Sequence, residues 1–355
     1  MSSNREQTDN RLVSVREVER SSNSEEIPIA SQPRPPRNLQ DLLRYSTEAA
    51  NLPGHESNEN CLQTLSEEDR KFLENALKSM TLDIVEELLK HIKILQSANL
   101  IEGSVDSTKF EDALDSILDY VDNIDVANDF HKIGGFCIFK PCLQSIHSSI
   151  RWRGAELIAQ LCQNNPYCQN KVLESKLVPT LLQMIDSDID DLVRVKALYA
   201  ISCLARGSEE GLKEFIITDG FSVLLRALQT DVQKLNIKSA FLLTSICQWK
   251  PHVKDDLVNM GYVEQLISQI AVFLQKYEEG HPPSLEHLLN ALLAIVEDNS
   301  MAQEISRTPE LRFKSLLDFI IKNSENKEEF NEENEYASKL SSIIFGECEN
   351  TDEDR

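Results

Sequence analysis

The sequence predicts an all-α fold: an armadillo-like helical repeat solenoid of about four repeats with capping helices. Three observations predict it. Similar apolar segments open at Gly135-Phe136, Leu177-Val178, Gly220-Phe221 and Gly261-Tyr262, which are 42, 43 and 41 residues apart. A second landmark (Ile150-Arg151-Trp152-Arg153, Val193-Arg194-Val195-Lys196 and Leu235-Asn236-Ile237-Lys238) leads into Leu161, Leu204 and Ile246 with steps of 43 and 42. Between the landmarks the apolar residues recur three and four apart, and a period in the low forties built from helices alone belongs to the armadillo and HEAT class.

Taken in order, residues 1–38 hold Ser, Asn, Glu and Arg with a cluster of Pro33, Pro35 and Pro36. Too few apolar groups are present to offset the entropy of ordering, so a disordered N-terminal arm is expected. Residues 39–123 are expected to form a short docking segment and N-terminal capping helices. Leu39, Leu42 and Leu43 share one helical face that Pro53 and Gly54 end. Ser66, with Asp69 three residues later, resembles a capping box before Phe72, Leu73, Ala76, Leu77 and Met80. Ile84, Val85, Leu88, Leu89, Ile92 and Leu95 make the next stripe, and another helix is expected over 110–121.

The repeats are expected over 124–300. An insertion at 275–284 carries Gly280, Pro282 and Pro283, which cannot continue a helix, and Leu285 resumes it. Residues 301–346 are expected to give C-terminal capping helices at 310–322 and 335–345, stopped by Gly346, because an end repeat exposes its apolar face. Residues 347–355 form an acidic tail.

Against 36 basic side chains stand 59 acidic ones, a formal charge of −23, which repels nucleic-acid phosphates and anionic membrane surfaces. No nucleic-acid or membrane partner is therefore expected. The polar N-terminus and the absence of an eighteen-residue apolar run predict a cytoplasmic protein, with nuclear presence open. The eight cysteines show no CxxC spacing, and most fall in apolar helical patterns as small buried hydrophobes. No nucleophile elbow, phosphate loop or HExxH is present, and the seven histidines pair with no candidate nucleophile. The chain is read as a non-enzyme without cofactor or metal.

The repeats do supply a ladder. The last helix of an armadillo unit lines the concave side, so equivalent positions fall into columns along one groove. One column holds Arg153, Lys196 and Lys238, a second Glu156, Tyr199 and Phe241, and a third Gln160, Cys203 and Ser245. A basic strip on an acidic chain suits the carboxylates of a partner, and groove aromatics make good anchors. The paired acids Asp190-Asp191 and Asp255-Asp256 are expected at helix starts, where they suit the helix dipole.

The runs 34–43 (RPPRNLQDLL), 65–70 (LSEEDR), 193–204 (VRVKALYAISCL), 219–224 (DGFSVL) and 232–243 (VQKLNIKSAFLL) resemble the Hsp70-binding protein family of armadillo-type nucleotide exchange factors. The resemblance covers about residues 34–300. It implies a cytosolic co-chaperone that grips the ATPase domain of an Hsp70-class chaperone and promotes ADP release. It also implies a contact surface at Ala127 and Asn128, in the run Ile124-Asp125-Val126-Ala127-Asn128, and at Lys238. The family's N-terminal arm implies a further contact with the chaperone's substrate-binding domain, although the Gly-rich composition of some members' arms is missing here. A monomer is expected. The alternative is an armadillo adaptor for extended peptides, which relies on recurring Trp and Asn; the chain holds only Trp152 and Trp249.

Overall fold

The computed structural model describes residues 83–97, 107–276, 282–325 and 327–346. Contacts divide the chain into Met1–Phe72 and Leu73–Arg355, and every described residue lies in the second unit. The expected arm, the segment at 39–43, the helix at 66–80 and the acidic tail lie outside the described residues.

Helix α1 (Ile84–Gln96) starts at Asp83, whose carboxylate accepts from the amides of Val85 and Glu86. It packs on α2 (Thr108–Tyr120) and on α3 (Ile124–Lys132), buries Leu88, Ile92 and Leu95, and so covers the apolar end of the first repeat unit. From α3 onward the helices come in threes. The first unit is α3, a 3-10 turn Gly135–Ile138 running into α4 (Phe139–Leu143), and α5 (Ser148–Cys162). The second is α6 (Pro166–Glu174), α7 (Val178–Ser187) and α8 (Asp191–Ala205). The third is α9 (Glu209–Ile217), α10 (Gly220–Leu228) and α11 (Gln233–Trp249). The fourth is α12 (Lys254–Asn259), α13 (Tyr262–Lys276) and α14 (Leu285–Val296).

The expected caps at 310–322 and 335–345 are α16 (Phe313–Ser324) and α17 (Asn331–Phe345). With α15 (Ser300–Ser306) before them they repeat the same order of three helices, so the stack closes on a fifth triplet. Its spacing is hidden in the sequence because 3-10 turns at Pro309–Leu311 and Glu328–Phe330 lengthen its corners. Among the described residues there is no strand, and no single helix is long and apolar enough to cross a membrane.

The repeat is written into the backbone as well as the side chains. Gly134, Lys176, Asp219 and Gly261 all take positive φ, 84°, 53°, 61° and 83°, at the corner before the second helix of each unit. Their steps are 42, 43 and 42, so the left-handed turn that glycine makes most cheaply recurs with the period, even where Lys or Asp must adopt it. A second corner is clamped by side chains at the same position of successive repeats, 43 and 42 residues apart. Arg151 donates to the carbonyls of Ser145 and Ile146, Arg194 to Ile185, and Asn236 to Thr230, at 2.9–3.0 Å. Arg151 also holds Asp188 through two 2.7 Å bonds, tying unit one to unit two.

Successive third helices pack directly on one another, α2 on α5, α5 on α8, α8 on α11, α11 on α14 and α14 on α17. Their inner sides join one apolar core running from Leu88 to Ile344. Asp190 caps α8, and Asp255 and Asp256 sit in the first turn of α12, as expected for negative charge at helix starts.

Tyr262 is fully buried, and its hydroxyl donates to the carbonyl of Phe221 at 2.7 Å, linking α13 to α10. Removing the hydroxyl strands a buried acceptor. Tyr262→Phe is expected to lower the free energy of unfolding by about 1–3 kcal/mol in urea titration. A variant as stable as the parent would show that the link between units three and four contributes nothing.

Candidate functional site

The third helices leave one stripe of each uncovered, and on this stripe the three columns meet. On α5, Trp152, Arg153, Glu156 and Gln160 are half-buried; on α8, Lys196 and Tyr199; on α11, Lys238 and Ser245, with Phe241 50% exposed. The core-facing residues between them (Ala155, Leu157 and Ile158, then Ala197, Leu198 and Ile201) are buried, and this fixes the register of the stripe.

The basic column is not uniform. The Arg153 guanidinium makes a two-pronged contact with Asp115 on α2, at 2.7 and 3.0 Å, and lies 3.5 Å from Glu111 and 4.2 Å from the centre of the Trp152 ring. Hydrogen bonds from Ser107 and Ser149, with the charge of Arg153 behind them, hold the Glu111 carboxyl below its ordinary range. Lys196 is neutralised by Glu156 one unit earlier and sits 5.8 Å from the same Trp152 ring. Both charges expected to face a partner are satisfied inside the stack.

Lys238 is different. Its ammonium lies 4.8 Å from the centre of the Tyr199 ring, a cation–π contact, and among the described residues no carboxylate is within ion-pair distance. Burial, then the positive charge of Lys196, pulls its pKa down from the ordinary lysine range. Tyr199 is fixed in place by a 2.8 Å bond from its hydroxyl to Gln163, and burial pushes its phenol up. Beside this pair the guanidinium of Arg206, at the C-cap of α8, lies 4.9 Å over the Phe241 ring. Its buried Nε has no hydrogen-bond partner, and no carboxylate pairs with it among the described residues. Cys203 lies within the same cluster, and burial pushes its thiol up.

Arg206 and Trp152 are functional candidates that the columns did not include. A signal for Arg206 exists: stepping 43 and 42 residues from Gln163 gives Arg206 and Gln248, a polar column three positions beyond Gln160, Cys203 and Ser245.

Ala127 and Asn128 require a correction. They lie on α3, a first helix, and not on the third-helix stripe. Ala127 is 2% exposed, and its carbonyl lies 3.7 Å from the Cys168 Sγ, so its methyl offers no surface to a partner. A bulky charged residue there would disturb packing between α3 and α6. Asn128 accepts from the side-chain amide of Asn165 at 3.0 Å, tying the first helices of units one and two together. Their periodicity gives no hint of this, because a helix that packs on two neighbours buries more than one stripe.

The buried thiols of the stack are not activated. Burial lifts the thiols of Cys142 and Cys247 to about 12 and that of Cys168 to about 11, which keeps them protonated at neutral pH. Among the described residues no group of three or more His, Cys, Asp or Glu is placed to hold a metal ion. What the arrangement can do is hold a surface: a cation-rich, aromatic-backed patch on a rigid stack.

Residues 126–231 match the family model described as the SIL1/FES1/HPBP1 C-terminal domain, and residues 39–130 match the one described as nucleotide exchange factor Fes1. The chain is 36% identical over 325 residues to Hsp70-binding protein 1 of Macaca fascicularis, covering 89% of this chain and 86% of that one. It is 36% identical over 321 residues to Hsp70-binding protein 1 of Homo sapiens, covering 88% and 86%. Hsp70 nucleotide exchange factor FES1 of Coccidioides immitis is 34% identical over 102 residues, 29% of this chain and 48% of that one. Among solved structures, designed armadillo repeat protein YIII(Dq)4CqI aligns with a TM-score of 0.55 at 15% identity, over 72% of this chain and 99% of that one. The latter likeness shows the helical-repeat fold alone.

Proposed function

The chain belongs to the SIL1/FES1/HPBP1 family that includes Hsp70-binding protein 1 and the Fes1 nucleotide exchange factors, and from that membership we propose that it is a co-chaperone exchange factor for an Hsp70-class chaperone. The observation that carries this is identity of 36% along 89% of the chain. In this reading the third-helix stripe binds the chaperone's ATPase domain. A stack whose units are pinned by Arg151–Asp188, Tyr262–Phe221 and a continuous core deforms less than a two-lobed nucleotide cleft, so binding selects the open cleft.

No chemical step by this chain is required, and we read it as a non-enzyme. The effect is linkage: if the bound factor weakens ADP affinity ~100-fold, ADP weakens the factor's binding equally, about 2.7 kcal/mol of coupling. The free thiols of five buried cysteines suit a reducing compartment and support a cytosolic or nuclear location. A monomer, and a contact of the N-terminal arm with the substrate-binding domain, belong to the same proposal.

The test is release of labelled ADP from a purified Hsp70-class chaperone. Acceleration at stoichiometric factor is expected, with the complex dissolving when ATP is added. An unchanged release rate would end the exchange-factor reading. The peptide-adaptor alternative loses its main support here, since Asn236 is buried against Thr230 and Trp152 lies beneath Arg153.

A further inference from the structure

Charged groups along the third-helix layer are matched almost everywhere. Arg153 has Asp115 and Glu111, Lys196 has Glu156, Arg151 has Asp188 and Arg194 has Asp191. At the boundary of units two and three the matching stops. Arg206 lies over Phe241, and Lys238, one turn earlier on α11, lies over Tyr199; Lys196 adds a third cation, and the Glu156 carboxylate nearby is itself held by Lys196. This happens in a chain that carries 23 more acidic than basic groups, yet among the described residues no carboxylate forms an ion pair with Arg206 or Lys238.

Two further features mark the spot as built. Tyr199 is held by Gln163, and the half-exposed Phe241 ring lies under Arg206, so each cation rests on an aromatic face that does not neutralise it. The buried Arg206 Nε makes no hydrogen bond to a carboxylate or carbonyl among the described residues, which leaves this donor open to an acceptor from outside.

We infer that Arg206 and Lys238 together receive a carboxylate of the partner, making this point the electrostatic anchor of the stripe in place of an evenly basic strip. The inference rests on the exchange-factor reading for the identity of the partner. Its physical content is narrower: an Asp or Glu side chain accepts from the guanidinium of Arg206 and from the ammonium of Lys238, in the partly desolvated space over Phe241. Arg153 and Lys196 then contribute shape and rigidity, since their charges are already taken. Charge-assisted bonds of this kind are about twice as strong as neutral ones, and a planar guanidinium can meet a carboxylate with two parallel bonds, which an ammonium cannot.

The experiment compares binding of the full chain to a purified Hsp70-class chaperone, at low and at physiological salt, for the parent, Arg206→Gln, Arg206→Lys, Phe241→Leu and the exposed control Lys213→Gln. Expected are a loss of affinity of about tenfold or more for Arg206→Gln, a partial loss for Arg206→Lys, and a flatter salt dependence for Arg206→Gln than for the parent. Lys213→Gln, which removes the same charge from α9, should bind as the parent does. Thermal melts establish that each variant is folded, and Phe241→Leu tests the platform without touching a charge. If the parent accelerates ADP release while Arg206→Gln binds with parental affinity and parental salt dependence, the anchor is wrong and the function stands. If the parent neither binds nor accelerates release, the exchange-factor reading itself falls.

Discussion

Gly211→Ala is expected to lower the stability of the folded chain by about 3 kcal/mol, seen as a fall in melting temperature of roughly 6–12 °C. Gly211 lies in the first turn of α9, where its amide donates to the capping hydroxyl of Ser208 at 3.1 Å. A Cβ at this position would stand 1.9 Å from the carbonyl oxygen of Leu204 and 2.8 Å from its carbon. Both are backbone atoms of α8, so nothing flexible can yield; the helix pair must separate, and units two and three meet there. Gly134→Ala supplies the contrast. It sits in a left-handed corner at φ 84° with no heavy atom within 4 Å of the added carbon, and costs about 1–2 kcal/mol from backbone strain alone. Equal losses from the two substitutions would mean that the close approach of α8 and α9 is not what Gly211 serves.

Glycine and its close contacts also govern how much of the fold is legible in the sequence. The period is legible because each unit opens its second helix on a marked residue, Gly135, Leu177, Gly220 or Gly261. Two of these glycines are the seats of Phe130 and Phe215, whose rings come within 2.5 and 2.3 Å of an added Cβ. Short first helices such as α12 and α15 carry too few turns to show a stripe, and the fifth triplet is out of step because of its 3-10 corners. Column arithmetic places Arg153, Glu156, Lys196, Tyr199, Lys238 and Phe241 on one face, since equal spacing in a stack means equal orientation. Which charges are already matched shows only when the columns are carried back onto α2, ahead of the repeats: Glu111 stands 42 residues before Arg153 and Asp115 stands 41 before Glu156, so Arg153 meets Asp115 as Lys196 meets Glu156. Ala127 misleads for another reason. A correspondence with relatives carries position, and burial is a property of packing that position alone does not reveal.

Lys238→Glu is expected to weaken binding to the chaperone at least ~100-fold, about 2.7 kcal/mol, and to return ADP release to the rate of the chaperone alone. The size comes from a double effect. The substitution removes one of the two cations and also places a carboxylate beside Arg206 and Lys196, where it takes the position argued for the partner's acid. Because like-charge repulsion at the cluster is relieved, the melting temperature should hold or rise, which separates lost function from lost fold. The pH profile gives a second readout. In the free protein Lys238 has a lowered pKa, and the groups facing it are Lys196, Cys203, Arg206, Glu156 and Tyr199. Of these, burial shifts Cys203 and Tyr199 upward, opposite in direction to Lys238. A bound carboxylate raises the pKa of Lys238 again, so the complex holds a proton that the free protein has begun to lose. Affinity should therefore be flat below the lowered value, fall as pH rises through it, and level off above the pKa of the complex. Lys238→Glu has no such proton to take up, and its weak residual binding should show no corresponding fall. A parental affinity that stays level through the alkaline range, or a Lys238→Glu variant that still drives ADP release, would remove Lys238 from the interface.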